Sequence, residues 1–248
     1  ASLFLTAGCK TTPEVQKPDF SKLTEDFVYG SLALSPTAAT QAGYHEHQGV
    51  RLDGKLEDFS PAGLEASRKF YEGFRDRLAA IDQQALSAED RADYRIMQNA
   101  IDFSLQDLQQ IQSYRHNPTV YVELIGNTLF SPYVLDYAPI DTRFGDIIQR
   151  LSQVPVLIAQ AKTNLADAPE VWNRVAREEN DGNIDLIDKT LRSKAPANRK
   201  TDFDKAADAA LVSLRSFSAY LKDDLSRKTS DWRLGKEQYA RKFADMLV

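Results

Sequence analysis

Cysteine is almost absent. With Cys9 the only one in 248 residues, an internal disulfide and a thiolate-rich zinc site are both excluded. Eleven glycines and ten prolines are too few to turn the many strands of a sandwich or barrel, so helices should dominate. Positive charge is in deficit. Lys+Arg 31 against Asp+Glu 36 gives net −5, the wrong sign for a chain that works by neutralising phosphates, and no nucleic acid is expected as a partner. An uninterrupted apolar run is missing as well. Residues 119–140 come nearest, but Glu123, Gly126, Asn127, Pro132 and Asp136 interrupt them, so they read as a packed pair of short core helices and not as a membrane span. What is present is an ordinary folded composition, 42% hydrophobic and 27% charged. At roughly 150 residues per domain, the length allows one or two domains.

The start of the chain gives Cys9 a role. Ala1-Ser2-Leu3-Phe4-Leu5-Thr6-Ala7-Gly8-Cys9 is an apolar stretch ending in small residues before a cysteine, and the chain turns polar at Lys10. This pattern is similar to the tail of a bacterial lipoprotein signal, although Thr6 stands where such signals usually carry Leu. Residues 1–9 are therefore read as a signal remnant, Cys9 as the lipid attachment site and 10–19 as a tether. Acyl chains contribute about 0.8 kcal/mol per buried CH₂, so several would hold the protein on a membrane without a spanning helix.

Apolar periodicity and capping residues lay out the helices. Asp19 or Ser21 starts one to about Leu34; Ser35-Pro36 starts a short one that stops at Gly43. Residues 44–59 hold no helical period and read as a loop. Ser60-Pro61 starts a helix with Leu64, Phe70, Phe74, Leu78 and Ile81 on one face. Ser87 to Asp90 has the spacing of a capping box and opens the longest periodic run, to about Tyr114, some 40 Å at roughly 1.5 Å per residue. Asn117-Pro118 breaks it. Asp141 is expected to cap a helix to about Gln153, Pro155 to open another to Leu165, and a further helix should run from Pro169 to about Arg192. A small basic loop, 192–200, precedes a long helix from Asp202 to Lys222, and a last helix runs from Leu234 to Val248. The expected fold is all-α, a multi-helix array of long antiparallel helices, with 20–248 as one helical body.

Chemistry is harder to find. His45-Glu46-His47-Gln48-Gly49 fails as a zincin motif, because Gly49 stands where a second histidine is needed one helical turn on. His116, before Asn117-Pro118, sits where its charge favours the last carbonyls of a helix. Glu178 to Gly182 fails as a calcium loop, since Arg177 occupies the first ligand position. No Gly-x-Ser-x-Gly elbow and no glycine-rich phosphate loop occurs. Arg143 and the tyrosines between 121 and 137 can line a cleft for a carboxylate or peptide; a structural salt bridge and a core aromatic cluster are the competing reading. Taken alone, the residues present no catalytic constellation and no metal site.

Five segments in order nevertheless resemble the bacterial domain-of-unknown-function 885 family. They are Ser35-Pro-Thr-Ala-Ala-Thr-Gln-Ala-Gly-Tyr-His45 with Arg51-Leu-Asp53; Leu86-Ser-Ala-Glu-Asp-Arg-Ala-Asp-Tyr94; Asn117-Pro-Thr-Val-Tyr121; Arg150-Leu-Ser-Gln-Val-Pro155; and Asp231-Trp-Arg-Leu-Gly-Lys236. The resemblance implies a lipoprotein about twice this length, whose second half is zinc-metallopeptidase-like and carries a His-Glu pair and Pro-Gly-His. The fold it implies is that of the N-terminal half of helical zinc carboxypeptidases. This chain would then be the cleft-forming half, with no catalytic residue of its own, and zinc would belong to the full-length protein. The implied partners are the protein's own C-terminal half, a peptide substrate and, through the lipid, the membrane, on the periplasmic or extracellular face of the cell envelope. His45, His116, Tyr121 and Arg143 are the candidates for lining that cleft. The rival expectation is a non-catalytic helical periplasmic module that binds a peptide or partner protein.

Overall fold

A computed structural model describes residues 19–246. Cys9, the 1–9 signal remnant and all of the 10–19 tether except Asp19 lie outside the described residues. The described chain is all-α apart from a hairpin of two-residue strands, β1 (Glu46–His47) and β2 (Val50–Arg51).

Three helices make an N-terminal layer. Asp19 caps α1 (Phe20–Leu34) by accepting from the Lys22 amide, and Ser60 and Ser87 do the same for α3 (Pro61–Ala79) and α4 (Ala88–Gln106). Phe20, Leu23 and Phe27 of α1 pack on Phe74 and Leu78 of α3 and on Tyr94, Met97, Ile101 and Leu105 of α4. Between α1 and α3 lies α2 (Pro36–Gln41), which opens with proline at its first position.

The larger body is built from α6 (Thr119–Val134), α7 (Ile140–Asn164), α8 (Glu170–Asp185) and α10 (Lys200–Asp223). Phe144, Ile147, Leu151 and Val154 of α7 meet Phe203, Ala207, Leu214 and Phe217 of α10, and all eight are fully buried. Amides on α8 clamp its neighbours. Asn173 donates to the Leu221 carbonyl (3.0 Å), Asn180 to that of Leu214 (2.9 Å) and Asn183 to that of Val122 (2.8 Å). A seven-residue step up α8 thus matches a seven-residue step down α10, which fixes the two helices antiparallel. Close approach to α6 requires Gly126, where a Cβ would stand 2.9 Å from Asn183 Oδ1.

Several boundaries differ from the expectation, each for a physical reason. Residues 119–134 form one helix, not two. Pro132 has no N–H for the Thr128 carbonyl, and Arg150 Nη1 supplies the missing donor at 2.7 Å. Pro155 does not restart α7, because buried Leu151, Val154, Leu157 and Ile158 continue one apolar stripe through it. That packing outweighs a proline cost of about 3 kcal/mol. Asp141 is not the cap of α7, which begins at Ile140; its carboxylate instead holds Arg199 at 2.7 Å and Asn198 at 2.6 Å. The run toward Tyr114 is broken. After α4 the turns widen over Asp107–Ile111, Gln112 is left-handed (φ 52), and α5 (Ser113–His116) restarts in a new direction, with the Ser113 hydroxyl on the Asp107 carboxylate. Beyond α8, widened turns over Leu186–Leu191 lead into α9 (Arg192–Lys194). The final helix, α11 (Gly235–Met246), rests on α4, where Gln106 donates to the Gln238 carbonyl at 3.1 Å. No described helix is long and apolar enough to cross a membrane.

Candidate functional site

Residues 44–59 form the expected loop apart from the short β1–β2 hairpin, and α7 holds its backbone closely. Gln153 donates to the Gly54 carbonyl (2.7 Å) and accepts from the Leu56 amide (3.3 Å). Gln160 accepts from the Phe59 amide (3.0 Å), and Asn164 donates to the Phe59 carbonyl (2.9 Å). Positions 153, 160 and 164 share one face of a helix, so α7 offers a row of amides to residues 54–59, which lie beyond the β1–β2 hairpin and have no regular structure to satisfy themselves. Gly54 lies so near that a Cβ would come within 2.2 Å of Gln149 Oε1. From the other side the Glu57 carboxylate accepts the Thr37 amide (3.0 Å) and hydroxyl (2.9 Å), capping α2 from a distance where Ser35 does not. Burial pushes the Glu57 carboxyl up from its ordinary value, against these hydrogen bonds and the nearby Arg150 charge.

Beneath the loop lies a charged cluster centred on Arg150, which is fully buried. Besides the Thr128 carbonyl, its guanidinium reaches the Pro36 carbonyl (3.3 Å) and the Thr40 hydroxyl (2.6 Å). Thr40 Oγ1 passes the polarity on to Asp53 Oδ1 at 2.9 Å. Asp53 also holds His45 Nδ1 at 2.8 Å and faces Arg51 Nε at 3.6 Å. Arg51 Nη2 donates to Asp146 (2.9 Å), which accepts from the Tyr137 hydroxyl as well (2.9 Å). The His45 ring stacks on Tyr137 with centroids 4.6 Å apart. Burial raises the Asp146 carboxyl and the neighbouring Asp53 adds to this, while Tyr137 and Arg51 oppose it. Burial and the Asp146 charge also raise the Tyr137 hydroxyl, so it stays a proton donor at neutral pH.

The arrangement turns outward. Asp53 and Asp146 are buried, whereas Arg51 keeps 52% of its side chain exposed and His45 34%. Two desolvated carboxylates thus hold a guanidinium and an imidazole at the surface. Arg51 can receive an anionic group bidentately, and His45, fixed through Nδ1, leaves Nε2 on the opposite edge of the ring.

Of the residues singled out from sequence, His45 and Tyr137, the last of the tyrosines between 121 and 137, belong to this cluster. Tyr121 is fully buried; its hydroxyl donates to the Tyr114 carbonyl (2.7 Å) and accepts from Asn164 (3.1 Å). Arg143 closes the end of α6 by donating to the carbonyls of Pro132 (3.1 Å), Tyr133 (3.0 Å) and Leu135 (3.0 Å), and it pairs with Asp136 at 3.1 Å. His116 ends α5 with Nδ1 on Asp167 at 2.8 Å. Sequence reasoning passed over Arg51, Asp53, Asp146 and Arg150 as site residues. One signal was available, for Arg143, Asp146 and Arg150 interrupt the apolar stripe of α7, and charge on a core-facing stripe needs buried partners. Among the described residues no group of three or more His, Cys, Asp or Glu is placed to hold a metal ion.

The site and fold define an all-α array in which long helices clamp a polar loop over a buried arginine. The chain belongs to the family described as bacterial protein of unknown function (DUF885), which matches residues 36–247. Its fold is shared by a candidate lipoprotein of unknown function from Shewanella oneidensis, with TM-score 0.82 and 22% identity over 92% of this chain. The chain spans 42% of that neighbour's length. No curated protein matches it. Two of the five segments that carry the family resemblance meet in space: Thr40, His45, Arg51 and Asp53 come from the first and Arg150 from the fourth, and together they build the one cluster.

Proposed function

We propose that this chain is the N-terminal, cleft-forming half of a membrane-anchored, zinc-metallopeptidase-like lipoprotein of the bacterial cell envelope, with Cys9 as its lipid attachment site. The observation that carries the reading is Arg51, half exposed and held between buried Asp53 and Asp146 beside His45. In this role Arg51 takes the terminal carboxylate of a peptide, as Arg143 cannot from its place at the end of α6. The two buried carboxylates fix the guanidinium in advance, so little side-chain freedom is lost on binding. The C-terminal half supplies zinc ligands and general base, and this chain contributes no residue to the metal. Support for a second half comes from the length of the structural neighbour and from α11, whose Tyr239, Phe243 and Met246 are all more than half exposed along one face. We assign that face to the C-terminal half.

The test uses the longer protein. It should contain one zinc per chain by mass spectrometry and remove residues from peptides with a free C-terminal carboxylate. Arg51→Met should raise KM by about tenfold to a hundredfold, the loss of a charge-assisted contact, with kcat changed far less. Zinc without hydrolysis, or binding of peptides without cleavage, would leave a non-catalytic binding module. Equal KM for the Arg51→Met protein would remove Arg51 from the account. Lipid attachment is read separately, since Cys9→Ser in the precursor should release the protein from membranes.

A further inference from the structure

Trp172 and Trp232, the only two tryptophans in the chain, line the same cavity of about 210 Å³. Its walls are three backbone segments tied together. The Ala166 amide donates to the Arg115 carbonyl (2.9 Å), the Ala168 amide to the Lys228 carbonyl (3.0 Å) and the Ser230 amide back to the Ala168 carbonyl (3.3 Å). The start of α8, the end of α5 and the approach to α11 are thereby fixed around one space. Its size suits a single side chain, since pockets for whole drug-sized ligands begin at about 300 Å³.

The lining has a definite chemistry. His116, Asp167 and Asp231 line the cavity with the two indoles, and among the described residues no lysine or arginine lines it. Asp231 is matched by Arg233 at 3.1 Å. Among the described residues, Asp167 has the imidazole of His116 alone within ion-pair distance. Burial alone would raise the Asp167 carboxyl, but Ser230, His116 and the Arg115 charge outweigh it and hold the group below the usual carboxylate range. Trp232 already accepts a cation, for the Arg233 guanidinium carbon lies 5.2 Å from its ring centroid. Its side chain remains largely in solvent at 57% exposure. A cavity that two indoles and a carboxylate line together, with apolar walls from Ile111, Pro169 and Leu234, is suited to a cation on an aliphatic stem.

We propose that this cavity binds the basic side chain of a peptide, the ammonium of a lysine or the guanidinium of an arginine, with its head on Asp167 and its stem between Trp172 and Trp232. The peptide as source of that side chain rests on the function proposed above; the cavity's preference for a cation does not. Because both tryptophans lie here, fluorescence of the 248-residue chain excited beyond the tyrosine absorption band reports the surroundings of this cavity. Titration with acetyl-arginine amide should give a saturable change in emission, and neutral acetyl-leucine amide should not. Asp167→Asn should weaken binding about tenfold, near 1.4 kcal/mol, with the circular dichroism melt unchanged. If that variant fails to fold, Trp232→Leu decides, since its exposed ring is not needed for packing; Trp172 emission should then respond at least about fivefold more weakly. An absent or non-saturating response, equal binding of the leucine probe, or unaltered affinity in the variant that folds would each overturn the site. None of these readouts involves hydrolysis, so their failure leaves the peptidase reading standing, and an inactive full-length protein leaves the cavity standing.

Discussion

The body made by α6, α7, α8 and α10 and the layer made by α1, α3 and α4 bury their apolar faces differently. In the first, 25 described residues form one continuous cluster, most of them with no solvent contact at all. In the second, ten residues suffice, rich in aromatic rings, and Phe20, Phe27, Phe74 and Ile81 each keep 8% exposure. Only Phe74 and Leu78 of the nineteen residues in α3 are buried. A core closed on every side leaves a deleted side chain's space empty; a layer open on one side can collapse into it. The polar cluster stands on the closed body, through α7, and this is why it can hold charged groups in fixed positions.

The sharpest way to break the contrast is Arg150. Arg150→Ala removes the donor to the Thr128 and Pro36 carbonyls and leaves Asp53, Asp146 and Glu57 without the positive charge they surround. The expected cost is about 5 kcal/mol, the range for a broken buried charge pair, measured by urea unfolding. Paired truncations come next. Leu214→Ala, in the closed core, should cost about 4 kcal/mol and Leu78→Ala, in the open layer, about 2.5 kcal/mol. Equal values would mean that the layer is as tightly packed as the body. Gln153→Leu should be smaller in total stability, about 1 to 2 kcal/mol for its contacts to Gly54 and Leu56, and should appear first as faster proteolysis within 43–60.

Acidity separates the regions by sign. The folded values of Glu57 and Asp146 are raised, so the native state binds protons there more tightly than the unfolded chain does. Their contribution is fully present below the unfolded carboxylate range and is lost as pH rises through the folded values. Asp26, lowered by Arg77 and Lys22 where α1 meets α3, behaves oppositely; its contribution is present above that range and is lost as pH falls through its folded value. As pH falls through the folded values of Glu57 and Asp146, the backbone beside Glu57 should therefore become better protected from protease, whereas Asp58 in the same loop follows the sign of Asp26, and the contact of α1 with α3 should weaken below about pH 4. The same trend in both regions would contradict these assignments.

The helices were legible because their signals are local. Ser60-Pro61 and the Ser87 box mark their helices in the sequence, and both caps form. Pro132 and Pro155 misled for a common reason, since a proline's local effect can be cancelled by partners far along the chain: Arg150 at the first, a buried stripe at the second. The candidate site was legible only at His45 and, among the tyrosines of 121 to 137, at Tyr137. Arg143 and Arg150 lie seven residues apart on the same helix and look equivalent, yet one caps α6 while the other anchors the cluster. Nothing within α7 separates them, because what differs is the segment that each meets. Residues 44–59 read correctly as a loop, but the hold on their backbone comes from Gln153, Gln160 and Asn164, which look like ordinary polar positions until the loop is laid across them.

The central claim is that this loop is a fixed platform for Arg51 and His45. Native-state hydrogen exchange tests it most directly, at the amides of Leu52, bonded to the His45 carbonyl at 2.9 Å, and of Leu56 and Phe59 on α7. They should exchange as slowly as the interior of α7 and more slowly than α3. Exchange at the rate of an unstructured loop, with α7 still protected, would show that the platform is not held and that Arg51 is not positioned in advance.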